Sequence, residues 1–133
     1  MKNCFLLVSH KLTPVQKREL RQNFNCDNIH YLSEKAQKIW SQISPTGDLK
    51  EQIEYFISYL RKKSRINDIV VVQGEYGMVF AVVSWCLRNG RIAVYSTSER
   101  VTREMKDKDE TVLVVRRFKH VMFRKYEKAE RQR

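Results

Sequence analysis

Hydrophobic positions along the chain alternate between continuous short runs and runs spaced by three and four. The segment Asn3–Ser9 holds Cys4, Phe5, Leu6, Leu7 and Val8 without a break, the pattern of a strand buried on both faces. His10-Lys11-Leu12-Thr13-Pro14 follows as a helix start, with Thr13 as N-cap and Pro14 at the first helical position. That helix should run to about Phe24, where Asn25-Cys26-Asp27-Asn28 breaks it. Ile29–Leu32 reads as a short strand, and Ser33 caps a helix carrying Ala36, Ile39, Trp40 and Ile43. After the loop Ser44-Pro45-Thr46-Gly47, Asp48 is placed to cap a helix with Leu49, Ile53, Phe56, Ile57 and Leu60 on one stripe. It closes on Arg61-Lys62-Lys63, cations that complement the negative end of the helix dipole.

Asp68–Gln73 is the strongest buried-strand signal. The turn Gly74-Glu75-Tyr76-Gly77 leads into an apolar helix from about Met78 to Arg88, stopped by Gly90. Arg91–Ser96 forms the next strand. Strands alternating with helices over these 96 residues predict an α/β fold with a mainly parallel sheet and helices on both faces, Rossmann-like in kind. The last third differs. Val101–Met105 alternates, Lys106–Glu110 reads as an exposed hairpin turn, Thr111–Val115 is β-rich, and Phe118, Val121, Phe123 and Tyr126 suggest a further strand. This predicts a C-terminal antiparallel β extension on one domain over residues 1–126, followed by a basic tail over 127–133.

Composition narrows the partners. The 133 residues include 26 Lys plus Arg against 15 Asp plus Glu, a net charge of +11. The last 34 residues hold 12 of these cations against 6 anions, a net +6, which leaves +5 for the first 99. Such an excess favours nucleic acid, nucleotide or another polyphosphate. No apolar run approaches the roughly 18 residues of a membrane span, and no signal peptide is recognisable, so a cytoplasmic protein without membrane contact is expected. Cys4, Cys26 and Cys86 form no CxxC pair, and no His, Asp or Glu cluster has metal-ligand spacing. No metal and no cofactor are therefore expected.

Ligands of an open α/β sheet sit beyond the carboxyl ends of its strands, near the switch point of strand order. Three segments should meet there: Ser9-His10, Gln73-Gly74-Glu75-Tyr76-Gly77 and Thr97-Ser98-Glu99-Arg100. Hydroxyls, an imidazole, a guanidinium and a glycine-flanked helix start make a phosphate-binding inventory. Neither GxGxxG nor a P-loop is present, which argues against NAD and ATP. His10, just after a strand end, is positioned for acid–base work; His30 reads as structural or exposed. In Phe118–Tyr126 the spacing sets His120 and Arg124 opposite Val121 and Phe123, the basic solvated face of an edge strand. Glu75 and Glu104 are the acidic residues expected near the site.

Several motifs occur in a fixed order: Ser9-His10-x-Leu12-Thr13-Pro14-x-Gln16, Trp40-Ser41, Val72-Gln73-Gly74-x-Tyr76-Gly77, Tyr95-x-Thr97-x-x-Arg100 and Phe118-x-His120-Val121-x-Phe123-Arg124-x-Tyr126. In these the chain resembles the small single-domain CRISPR-associated proteins of type III systems, related to the CARF (CRISPR-associated Rossmann fold) domains. The resemblance implies a cyclic oligoadenylate ligand, with cyclic tetra-adenylate first among ring sizes, held across a homodimer with no other stable protein partner. It further implies either a ring nuclease that releases linear di-adenylate with 2′,3′-cyclic phosphate ends, or a sink that binds the ring uncut. On the nuclease reading Arg100 stabilises charge on phosphate, and Thr97 and Ser98 fix its oxygens. Gln73, Gly74, Glu75 and Gly77 line the ring, and Tyr76 stacks on adenine. Ser9 and His10 lead the acid–base or positioning candidates, with His120 and Arg124 second. A general RNA-binding module using the basic tail, or an interaction-only subunit of a CRISPR complex, are the readings from other classes.

Overall fold

The two most apolar runs become the middle of a sheet. In a computed structural model, which describes residues 1–106 and 109–129, the strands are β1 (Asn3–Leu7), β2 (Asn28–His30), β3 (Ile69–Val72), β4 (Ile92–Lys106) and β5 (Val112–Lys125). The helices are α1 (Pro14–Asn23), α2 (Glu34–Ser41), α3 (Lys50–Lys63) and α4 (Tyr76–Arg88). The strand order is β2-β1-β3-β4-β5. The first three pairings are parallel, and β4 with β5 is antiparallel. The protein is thus α/β with a mixed, mostly parallel five-stranded sheet. Every residue of β3 is buried, as expected of a parallel strand covered on both faces.

Helices cover both faces. On one side Phe5, Leu7, Val70 and Val72 pack with Trp40, Phe56, Leu60, Met78 and Val82 from α2, α3 and α4. On the other side Cys4, Leu6, Val8, Ile69, Val71, Val94 and Phe123 pack with Leu12 and with Leu20 of α1. All three cysteines are unpaired and buried, and burial pushes the Cys86 thiol up to about 12. Asp68, also buried, accepts from the backbone N–H of Asn3 (3.1 Å) and of Arg65 (2.8 Å), so its carboxylate joins β1 to the entry of β3.

Local chemistry explains the helix ends. Thr13 Oγ1 accepts from Gln16 N, while Gln16 Oε1 accepts from Thr13 N, a reciprocal capping box with Pro14 opening the helix. Ser33 Oγ accepts from Ala36 N at 3.2 Å. Leu49 rather than Asp48 occupies the N-cap position of α3, and Asp48 instead accepts from Lys50 N at 3.1 Å. Gly90 takes φ +73 after α4, the left-handed region in which glycine is free of strain. β2 is shorter than the pattern implies, ending at His30, so Tyr31 and Leu32 fall outside it.

Two expectations fail in the last third. Thr97–Arg100 do not form a loop after a strand ending at Ser96; β4 runs unbroken from Ile92 to Lys106. No glycine or proline lies between Arg91 and Lys125 to interrupt it, and β5 pairs with it from Val94 to Lys106. Within β4 only Ile92–Val94 pair with β3, so the rest of the β4–β5 pair is a two-stranded ribbon extending past the carboxyl edge of the parallel sheet. The predicted turn spans Lys106–Glu110, of which Asp107 and Lys108 lie outside the described residues, as do residues 130–133 of the tail.

The second failure concerns His120. The register steps from Thr97↔Met122 to Ser98↔His120, skipping Val121. This β-bulge shifts the alternation by one, so His120 lies against Phe123 (ring centroids 4.8 Å) rather than opposite it.

Gly74 passes so close to Trp40 that a Cβ there would sit 2.9 Å from the indole Nε1. Gly74→Ala should therefore displace a side chain packed edge-on against Phe56. A loss of about 1–3 kcal/mol is expected in urea unfolding, the usual cost of overpacking.

Candidate functional site at the carboxyl edge of the sheet

In the order β2-β1-β3, the chain leaves β1 toward one side and later returns on the other, so the switch point lies between β1 and β3. The loops after these two strands meet there, where open α/β sheets form their ligand crevice. The β1 loop contributes Ser9 and His10, both exposed. The β3 loop contributes Gln73 to Glu75, and α4 opens on Tyr76 and Gly77, two residues earlier than the spacing implies. Gln73 ties the crevice together: its N–H donates to Leu7 O (3.1 Å), its carbonyl accepts from Trp40 Nε1 (2.9 Å), and its side-chain Oε1 accepts from Ser96 N (3.0 Å). Glu75 is the N-cap of α4, its carboxylate accepting from Met78 N at 2.9 Å. Tyr76 opens the helix and is 93% exposed, leaving its ring free to stack. Gly77 runs close to Leu49 and the Glu75 carboxylate.

Residues contributed by β4 and β5 separate into two groups. Near the crevice, Thr97 Oγ1 is held by Met122, accepting from its N–H and donating to its carbonyl. Ser98 is exposed beside it on the ribbon. Arg100 pairs with Phe118, its guanidinium 5.5 Å from the ring centroid. It stands four residues past Ser96, or about 13 Å at the usual rise of a strand. Arg100 is therefore a ribbon residue, and exposed Glu104 lies further out still, opposite Val114. Arg124 lines a separate cavity of about 810 Å³ with Phe24, Tyr95 and Tyr126. His30 is exposed, stacks on Phe5 at 4.8 Å and bonds to Asn3, in keeping with a structural role.

His120 sits in a connection that the spacing did not reveal. Its Nε2 lies 2.6 Å from Glu19 Oε1, and its Nδ1 lies 2.5 Å from Ser96 Oγ. Glu19 Oε2 accepts from Phe123 N at 2.7 Å. The side chains of His120 and Glu19 are only 8% and 12% exposed. Carboxylate, imidazole and hydroxyl thus form one chain ending at Ser96, whose backbone N–H is bound by Gln73. Sequence reasoning missed Ser96 and Glu19. Glu19 is one anion among the cations of α1 and Ser96 a polar strand residue, and neither carries a local mark of a partner far along the chain.

Among the described residues there is no group of three or more His, Cys, Asp or Glu side chains arranged to hold a metal ion. No helix among them is long and apolar enough to cross a membrane.

The architecture is that of an α/β protein with a switch-point crevice and a protruding β-ribbon. The chain belongs to the uncharacterized protein MJ1673 family, matched over residues 2–124. The uncharacterized protein MJ1673 of Methanocaldococcus jannaschii is 35% identical over 127 residues, which cover 95% of this chain and 98% of the relative. No solved structure matches the chain.

Tyr126 closes the edge of the site, its hydroxyl donating to Val72 O at 2.7 Å. Burial, with Tyr95 beside it, raises its phenol above the ordinary value of 10.0. A raised folded-state value favours the neutral form, so this contribution is complete below pH 10 and is lost as pH climbs through the folded value. Tyr126→Phe should cost about 1 kcal/mol at pH 7 and show a shallower loss of stability above pH 10, read from urea midpoints across the alkaline range.

Proposed function

We propose that this protein binds cyclic oligoadenylate, cyclic tetra-adenylate first, and cuts it to linear di-adenylate with 2′,3′-cyclic phosphate ends, silencing a type III CRISPR signal. The strand order 2-1-3-4-5, with the last strand reversed, is compatible with a Rossmann-like domain of CARF type. The observation that carries the reading is the Gly74–Gly77 turn. It presents a fully free aromatic ring, Tyr76, at the start of α4, across the switch point from the exposed Ser9 and His10. Base stacking, backbone N–H groups and a +11 chain answer the three chemical parts of an oligoadenylate.

A ring with two-fold symmetry suits two identical crevices, as in a homodimer. The ribbon supports that assembly. Val112, Val114 and Phe118 follow one face of β5 at even spacing and are 50%, 47% and 69% exposed. A two-stranded ribbon is marginal alone and gains from a partner. Arg100, across from Phe118 on the same ribbon, then acts on phosphate from a paired ribbon rather than from a loop.

Cleavage needs only the ring's own ribose. A 2′-hydroxyl held in line attacks the adjacent phosphorus and expels the 5′-oxygen, while the protein supplies geometry and charge. Ser9, His10 and Ser98 are the exposed polar groups available for positioning. Gln73 and Glu75 contribute mainly by holding the crevice open.

Incubation with cyclic tetra-adenylate in excess EDTA, followed by chromatography, should yield linear di-adenylate. An intact ring that still binds would make the protein a sink, and preference for linear RNA would favour the RNA-binding module. Tyr76→Ala should weaken ring binding by about 1–3 kcal/mol, the worth of one stacked base, and Arg100→Ala should reduce cleavage, binding or both. Wild-type behaviour in both variants would remove the site assignment.

A further inference from the structure

We propose that Ser96, His120 and Glu19 act as a proton relay for the attacking 2′-hydroxyl, with Ser96 Oγ as the group that touches the ribose; this rests on the ring-cleaving reading. Hydrogen positions follow from the partners. Both oxygens of Glu19 accept, one from Phe123 N and one from His120 Nε2. An ionised carboxylate only accepts, so Nε2 carries the hydrogen, and in the neutral ring Nδ1 is left as an acceptor facing Ser96 Oγ. The second partner of that hydroxyl is the Thr97 carbonyl at 3.3 Å, which takes its hydrogen when the imidazole is protonated. Among the described residues, Glu19 is the one titratable group within hydrogen-bonding distance of His120; β4 presents Ser96, and the ring of Phe123 covers it on its own strand.

Burial orders the chain from inside to outside. Carboxylate and imidazole are enclosed between α1 and β5, whereas Ser96 is only half-buried and is bound through its N–H to Gln73 at the crevice. The site lies on the same side of the sheet as the exit of β1: Val8, Leu12, Val94 and Phe123 share one packed cluster. The bulge at Val121 is what turns His120 into this chain, a use to which bulges near active sites are often put. A base oriented by a third group and joined to a hydroxyl is the arrangement that activates hydroxyl chemistry.

The step balances without a co-reactant. The ribose 2′-proton passes to Ser96 Oγ as the serine's own proton passes to His120 Nδ1, and Glu19 stabilises the imidazolium. The 2′-oxygen bonds to phosphorus and the P–O5′ bond breaks; the 5′-oxygen, leaving from the opposite side, takes its proton from solvent water, and the imidazolium returns its proton through Ser96 to solvent. Ser96 is the catalytic group here; His120 and Glu19 act through it.

The test combines single-turnover cleavage of cyclic tetra-adenylate with a binding titration on the same samples, their folding checked by thermal melting. Ser96→Ala should bind within about threefold of wild type and cut at least about 100-fold slower, the usual scale of acid–base assistance. Ser96→Thr, which keeps the hydroxyl, should recover most of the rate. Glu19→Gln, which removes the charge stabilising imidazolium, should slow cleavage with ring binding near wild type and should cost little more when added to Ser96→Ala, a non-additivity that a merely structural role would not produce. Ser96→Ala cutting at the wild-type rate overturns the relay and leaves the ring-cleaving reading standing. Wild-type protein that binds without cutting overturns the ring-cleaving reading and the relay with it but leaves the ligand standing, and protein that neither binds nor cuts overturns the ligand as well.

Discussion

Gln73 is the residue on which the carboxyl edge of the sheet depends. Its backbone N–H, backbone carbonyl and side-chain oxygen each take a partner from a different element: β1, α2 and β4. All three bonds lie at the point where β3 ends and the parallel sheet gives way to loops. The Trp40 contact requires Gly74 to follow, because any Cβ there meets the indole. Gly74 in turn starts the turn that places Glu75 as a cap and Tyr76 at the head of α4. The crevice is thus set by satisfaction of one residue's polar groups at a buried strand end, where an unpaired group would be costly.

A second constraint holds the ribbon to the body. Beyond Val94, β4 has no partner but β5, and a two-stranded unit gains little stability of its own. Glu19 anchors it from α1 by accepting from both His120 and the Phe123 backbone, while Phe123 itself is buried against Phe24. The bulge makes this anchor reachable. The same contacts that hold the ribbon also build the hydroxyl–imidazole–carboxylate chain, so anchor and chain share their residues.

Much of the first 96 residues was legible because its signals are local. The unbroken apolar runs of β1 and β3, the Thr13–Gln16 capping box, the Ser33 cap and the Gly90 stop each lie within a few residues of the structure they specify. What was not legible depends on pairing. The continuation of β4 through Thr97–Arg100 is decided by β5, and polar alternation in that stretch looks the same in a loop. The bulge at Val121 is a mismatch of register between strands and leaves no trace in one strand's spacing, so His120 was put on the wrong face. The turn residues Ser9, His10 and Gly74–Gly77 were placed correctly at strand ends, whereas Arg100 and Glu104 were drawn too close. Ser96 and Glu19 escaped notice because their partners are 24 and 101 residues away in the chain.

On the proposed function, two crevices of this kind share one cyclic oligoadenylate. Calorimetric titration with a non-hydrolysable cyclic tetra-adenylate analogue measures this directly. Saturation is expected at one ring for every two chains, with affinity falling as salt rises. Saturation at one ring per chain would contradict the shared site, and no heat or displacement at any ratio would contradict the ligand itself.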